Sequence, residues 1–348
     1  MRSPSPNSSP KRRGNTRTQK PPRPVGVRIL RTIAIYLILC ILLWWALRNV
    51  PLIDIWETIK QLRGWQVIVL LLINAVVIAL MTARWWIIVR TDNRGIPFLP
   101  LVGYRLSAFG VSYFTPGPQV GGEPLQIIYL QKNYDLTYAR ATSAVIMDKL
   151  LEFLVNFLLL AVGAWAVFRV GLVPENGGSS ILGLIGLAAL LLWPLVHIIL
   201  LYNGRFPISA ILRWQPFIPQ RTNLVRLIIV SERMAASFCR RHLRAMLGAI
   251  GVSVLAVLGI VAEYVLMVDF LGMRLSAMQV FAALTALQLA FLMPLPGGLG
   301  ALEASQVFAL GVFGQPASAA ISLILLQRAR DVLNGGVGLL LAGRGLGR

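Results

Sequence analysis

The sequence predicts an all-α polytopic membrane protein, with about six full spans and two broken or re-entrant helical hairpins arranged as an inverted repeat. Three observations lead there. Hydrophobic residues make up 57% of the chain and charged residues only 13%. A globular surface needs nearer a quarter charged, whereas lipid tails accept an apolar surface. The charge balance is strongly basic, at +20, and it sits in polar stretches between apolar runs, as the positive-inside rule distributes it. A nucleic-acid binder gathers such charge into a patch on a soluble fold. Finally, two apolar regions are interrupted by the same Pro-Gly pattern, one starting at Pro116 and the other at Pro296.

The elements follow in order. Residues 1–27 are polar and rich in Pro, Ser, Arg and Lys, the composition of a disordered tail. The run 29–47 is too long for a signal core and ends in Trp44, Trp45 and Arg48 rather than small residues, so it reads as a retained first span. A crossing needs about 20 apolar residues. Runs at 65–90, 143–168, 181–202, 245–268 and 317–342 meet that need. The regions 99–130 and 277–313 are broken by Pro and Gly and read as re-entrant.

Charge sets the orientation. Residues 1–31 hold nine basic residues and no acid, and 203–244 hold eight arginines against Glu232. Both stretches are expected on the cytoplasmic side. The stretches 48–64, 169–180 and 269–276 share five basic and four acidic residues and fit the outer side. The expected organisation is therefore a basic cytoplasmic tail over 1–27 and a transmembrane domain over 28–343. Repeat elements lie at about 99–168 and 277–342, an Arg-rich cytoplasmic loop at 203–244, and both termini inside.

Catalytic and metal motifs are missing from the sequence. Cys40 lies in an apolar run and Cys239 in a basic loop, and His197 and His242 lack ligand spacing. There is no phosphate loop, nucleophile elbow or His-Glu-x-x-His. No cofactor, no metal and no nucleic acid is expected.

The repeat carries the most information. Pro116-Gly117-Pro118-Gln119-Val120-Gly121-Gly122-Glu123 parallels Pro296-Gly297-Gly298-Leu299-Gly300-Ala301-Leu302-Glu303. Pro116, Gly117, Gly121 and Gly122, with Pro296, Gly297, Gly298 and Gly300, are the expected helix breaks. Backbone groups freed there survive only under protein or beside a wet cavity. Charged residues fall at membrane depth around both motifs: Arg105, Glu123, Asp148, Lys149, Glu152, Glu263, Glu303, Arg328, Arg330 and Asp331. Each costs roughly 2.5–3.5 kcal/mol at a bilayer centre on insertion scales, so together they must face an interior. Asp148 and Glu152 share a helix face. Opposite charges on the two repeat-related helices are expected to pair across a pseudo-twofold axis. The charges read either as a polar pathway or as ion pairs that lock helices; Glu263 is the weakest pathway member. Arg84 and Arg90 flank Trp85-Trp86 and read as interface anchors.

These residues carry a resemblance. Arg84-Trp85-Trp86, Pro116 to Glu123, Asp148-Lys149 and Pro294-Leu295-Pro296 to Glu303 make the chain resemble the flippase-like transmembrane domain of lysylphosphatidylglycerol synthases. It looks like a stand-alone UPF0104-type member, over residues 28–342. The resemblance implies a bacterial inner-membrane protein that moves a phospholipid or other amphipathic lipid, hopanoid or glycolipid included, between leaflets. Gln126 and Asp148-Lys149 stand where relatives often carry Arg and Glu-Arg, which keeps polarity but loses a bidentate guanidinium. Seven residues follow Leu341, so lysine transfer is not expected. The expected partners are membrane lipids with anionic or amphipathic headgroups, then a second copy or lipid-synthesis enzymes. The alternative functions are a membrane enzyme, or an accessory scaffold, of lipid or polyprenyl-glycan synthesis.

Overall fold

The structure, a computed structural model, describes residues 52–114, 121–170, 192–214, 223–291 and 300–347, together with 188, 293 and 298. The expected tail, the span at 29–47, most of 181–191, and the break residues Pro116, Gly117, Pro296 and Gly297 lie outside the described residues.

Among the described residues the regular structure is helical. It comprises α1 (Leu52–Gln61), α2 (Gly64–Val89), α3 (Phe98–Phe114), α4 (Glu123–Tyr134), α5 (Tyr138–Arg169) and α6 (Leu192–Tyr202). Then follow α7 (Pro207–Trp214), α8 (Asn223–Arg241), α9 (Leu243–Phe270), α10 (Ala277–Phe291), α11 (Ala301–Val312) and α12 (Ala317–Gly347).

The long helices have the length and composition for a bilayer. Helices α2, α5 and α9 contain 26, 32 and 28 residues, and an 18-residue stretch of each has mean hydropathy of 2.5, 2.1 and 2.5. At 1.5 Å per residue each exceeds the ~30 Å hydrocarbon core. Their outer faces are apolar: Ile68, Leu71 and Leu72 on α2 and Leu247, Leu255 and Leu258 on α9 are exposed. Arg84, Asp148, Glu263 and Arg328 are buried, none more than 2% exposed. Apolar surface outside and charge inside reverses the pattern of a water-soluble protein, and the chain is a multi-pass membrane protein.

The inverted repeat is present. The register that sets Pro116 on Pro296 carries α2 onto α9, with agreement to a residue at each end. The same register carries α3 onto α10, α4 onto α11 and α5 onto α12. Trp65 opens α2 and packs edge-on against Phe270, the last residue of α9, with ring centroids 5.3 Å apart. Val77, midway along α2, meets Gly259, midway along α9. The two repeat-related helices therefore run antiparallel, which makes the repeat inverted.

The halves interlock by exchange: α3 packs on α12, and its repeat mate α10 packs on α5. Small residues allow the close approach. A Cβ on Gly110 of α3 would stand 2.6 Å from the Gly335 carbonyl oxygen of α12, and one on Gly338 would collide with the Leu106 carbonyl. Helices in lipid associate through such contacts because burial there has little hydrophobic drive.

Both broken regions are hairpins. Helix α4 returns along α3: the Gly122 amide donates to Ser112 Oγ at 2.8 Å, and Tyr104 stacks on Tyr129 at 4.4 Å. Helix α11 returns along α10, where Gln306 Nε2 donates to the Ala283 carbonyl at 2.8 Å. With 12 residues each, α4 and α11 reach about 18 Å and cannot cross a bilayer alone.

The stretch expected as a loop at 203–244 instead carries α7 and α8. Val225, Ala235, Ala236 and Cys239 form the buried side of α8, and Arg226, Arg233 and Arg240 its exposed side. This 3.6-residue alternation seats Cys239 inside the protein rather than in a loop.

Candidate functional site

The two hairpins and four long helices enclose a cavity of about 390 Å³. Every element of both repeat halves except α11 contributes to its wall. Two apolar clusters flank it. One is built around Trp85, Met147 and Leu151, the other around Met267, Leu284 and Leu323.

The first charged group belongs to the N-terminal half. Asp148 and Glu152 lie one turn apart on α5, so their carboxylates point the same way. Arg84 of α2 grips Asp148 from the side, with Nε on Oδ1 at 2.6 Å and Nη2 on Oδ2 at 3.2 Å, and also reaches Glu152. Arg105 of α3 adds bonds to Asp148 Oδ2 at 3.0 Å and Glu152 Oε2 at 3.2 Å. Lys149 bridges Glu152 at 3.1 Å and Glu123 at 3.4 Å. Three cations thus meet three carboxylates. Parting one member of such a buried network leaves its partner uncompensated, at about 3–5 kcal/mol.

The second group belongs to the C-terminal half. Arg328 of α12 holds Glu303 at 2.7 Å through Nε. Arg330 sits between Glu263 of α9 and Asp331, each 2.9 Å away. Tyr113 of α3 hydrogen-bonds the Arg328 side chain, which ties α3 to its exchange partner α12.

Repeat-related glutamates do the same work at the two breaks. Glu123 Oε2 accepts from the Gly121 amide at 2.8 Å, and Glu303 Oε2 from the Gly300 amide at 2.9 Å. A carboxylate there satisfies a free amide and complements the helix dipole. Each glutamate keeps its other oxygen for a cation of the neighbouring long helix, Lys149 or Arg328. The glycines are needed for different reasons. A Cβ on Gly122 would strike the Ala108 backbone. Gly300 faces open space but has φ +80°, a conformation side chains rarely adopt.

The predicted residues divide into two sets. Arg105, Glu123, Gln126, Lys149, Glu152, Arg330 and Asp331 line the cavity. Asp148, Glu303 and Arg328 stand outside the lining: Asp148 braces Arg105, Arg328 engages Tyr113, and Glu303 pairs with Arg328. Gly121, Gly122, Gly298 and Gly300 lie at the hairpin turns.

Three expectations change. Among the described residues no ion pair crosses from one half's group to the other's; the cations of each half are taken up by nearer carboxylates of the same half. Arg84 is no interface anchor. It and Trp85 are buried, and only Arg90 stacks at the surface, 4.5 Å over Trp86. Glu263 is a cavity residue paired with Arg330. Its mate in the repeat register is Ala83, so repeat matching gives no signal for it. Position Arg84 could have been found from the α5 carboxylates, which need more cations than Lys149 supplies.

Several lining side chains retain acceptors unused by the described residues. Gln126 Oε1, Glu263 Oε1, Gln288 Oε1 and Gln327 Oε1 are buried without a hydrogen-bond partner among them. Such groups call for an occupant or water. Among the described residues no group of three or more His, Cys, Asp and Glu side chains is gathered for a metal ion; Arg and Lys take the carboxylate oxygens instead.

The chain is 26% identical over 139 residues to a UPF0104 membrane protein of Pyrococcus horikoshii, covering 38% of this chain and 39% of that protein. The chain thus spans about two fifths of the length of the curated relative it matches. No solved structure matches it. The family model described as lysylphosphatidylglycerol synthase TM region matches residues 31–336, and the chain belongs to that family.

Proposed function

We propose that the protein moves an amphipathic lipid between the leaflets of a cytoplasmic membrane, with both termini on the cytoplasmic side. The observation that carries this reading is a charged cavity inside a lipid-facing apolar shell, walled by both halves of an inverted repeat. Transporters of this build hold their substrate at the repeat interface, near broken helices, and rock one half against the other. The cavity suits a polar headgroup, and acyl chains stay in the lipid outside. The membership of a family named for a phospholipid synthase's membrane region supports a lipid substrate. Arg105, Gln126, Lys149 and Glu152 are the headgroup contacts in this reading; Asp148 holds Arg105, Arg84 holds Glu152 and Glu123 holds Lys149. Transport rather than catalysis is proposed because Glu152, the carboxylate among these contacts, is taken up by Arg84, Arg105 and Lys149 and is ill placed to act as a general base.

The test is a leaflet assay in proteoliposomes with a labelled phospholipid. The wild type moves the label. The charge-balanced double substitution Arg105→Gln with Glu152→Gln slows it by at least roughly tenfold, about 1.4 kcal/mol in the barrier, while thermal unfolding in detergent confirms a folded protein. Chemical conversion of the lipid in detergent, where no leaflets exist, points instead to an enzyme. Neither movement nor conversion, with co-purifying synthesis enzymes, points to a scaffold.

A further inference from the structure

The two charged groups are not equally balanced. The N-terminal half sets Arg84, Arg105 and Lys149 against Glu123, Asp148 and Glu152. The C-terminal half sets Arg328 and Arg330 against Glu263, Glu303 and Asp331. Arg328 is engaged by Glu303, so Arg330 alone serves two carboxylates. We propose that Glu263, Arg330 and Asp331 form a proton-binding site on the cavity wall, where one carboxylate of the pair takes up a proton from cavity water and later returns it.

Geometry supports this. Arg330 Nη1 bonds Glu263 Oε2 and its Nη2 lies on Asp331 Oδ1, both at 2.9 Å. Glu263 is 1% exposed and Asp331 6%. Glu263 Oε1 is buried with no partner among the described residues, whereas the oxygens of Asp148, Glu152 and Glu123 all receive donors. A second buried side chain, Gln327, is 3% exposed, lines the same cavity one turn before Arg330, and also has an unpartnered oxygen. An unpaired buried charge is costly, and such a group neutralises instead. Binding the proton converts a carboxylate to a neutral acid and leaves Arg330 paired one to one. Releasing it restores the surplus charge.

Among the described residues the surroundings offer no other counterion. From α12 come Arg330 and Asp331 themselves; from α3 come Tyr113, which engages Arg328, and Arg105, which is paired with Asp148 and Glu152. Helix α5 presents Lys149 and Glu152 to the cavity, already paired. The α2 and α10 lining near Glu263 is neutral, with Asn74, Met81 and Gln288 among it. Helix α8 packs on α5 and contributes no residue to the cavity lining.

The role of this proton in transport rests on the lipid-translocation reading; its binding does not. Infrared difference spectra between acidic and alkaline buffer, on the full protein in liposomes, report the carbonyl stretch of a buried protonated carboxyl. The band is expected in the wild type and in Glu123→Gln. It should vanish in Glu263→Gln, and also in Asp331→Asn, where Arg330 has one carboxylate left to neutralise. Absence of the band from the wild type, or its survival in both variants, overturns the site. The two variants answer the same question, so failure of one to fold does not block the test. In the leaflet assay an imposed pH gradient should speed lipid movement by the wild type and leave Glu263→Gln unresponsive. A response to a sodium gradient instead overturns the proton assignment. A pH-sensitive band without any lipid movement supports the site and overturns the transport reading.

Discussion

The two halves of the repeat have one skeleton and two chemistries. The register that superposes the breaks sets Arg84 on Tyr264, Arg105 on Thr285, Glu123 on Glu303, Gln126 on Gln306 and Asp148 on Arg328. Only the break glutamates and the glutamines persist. Where Arg84 grips two carboxylates, Tyr264 donates to Gln306 Oε1 at 2.6 Å. Where Arg105 reaches the α5 carboxylates, Thr285 bonds its own helix at Phe281. The N-terminal half is thus knit by one balanced network of ion pairs, and the C-terminal half by hydrogen bonds, the separate Arg328–Glu303 pair and a guanidinium shared between two carboxylates. Close helix crossings and hairpin breaks specify the architecture. The buried charges are free to differ, provided each half satisfies its own.

The sharpest way to break the comparison is to remove one carboxylate from each half. Asp148→Asn strands Arg84 and Arg105, which share only Glu152 afterwards. A loss of about 3 kcal/mol is expected, at the low end for a broken buried pair because Glu152 remains, read as a lower unfolding temperature in detergent. Asp331→Asn should be neutral or stabilising, because it removes the carboxylate in surplus. Equal destabilisation by both would mean that the halves are balanced alike.

Much of this architecture was legible in the sequence, for physical reasons. Apolar runs of bilayer length, basic loops and a recurring Pro-Gly break are local patterns, and α2, α5, α9 and α12 fall close to the expected spans. The clustering of Asp148, Lys149 and Glu152 follows from helical spacing alone. Partner choice was not legible, because it depends on how helices distant in sequence cross. Arg84 lies 64 residues from Asp148 and beside two tryptophans, the usual company of an interface residue. Glu263 meets Arg330 only because α9 crosses α12. The helices α7 and α8 were hidden by their arginines, which read as a loop until their 3.6-residue spacing is noticed.

A smaller effect separates the two breaks. Gly122→Ala presses a methyl group into the α3 backbone at Ala108, and overpacking of this kind costs about 1–3 kcal/mol. Gly300→Ala meets no neighbour, but must hold φ +80°, which costs roughly 1 kcal/mol. The hairpin of the first half is therefore held by contact and that of the second by torsion. Gly300→Asn, which tolerates positive φ better, should recover part of the second loss. Asparagine at 122 should recover nothing, since its Cβ strikes the same carbonyl. Unfolding temperatures of the four variants measure the difference.

The finest distinction lies between the two repeat-related glutamines. Gln306 is fully buried and employed at both ends: its oxygen accepts from Tyr264 and its amide donates to the Ala283 carbonyl. Gln306→Leu leaves both groups unpaired, and should lower stability by about 1 kcal/mol or somewhat more. Gln126 is 5% exposed, lines the cavity, and has a side-chain oxygen with no partner. Gln126→Leu should therefore be the least costly of these changes, because replacing an unsatisfied polar group with an apolar one of similar size forfeits little. Its effect belongs to the leaflet assay, where an apolar wall in place of an amide should slow movement of a polar headgroup. If Gln126→Leu unfolds the protein as readily as Gln306→Leu, the amide at 126 is a structural brace like its counterpart, and the cavity loses one of its headgroup contacts.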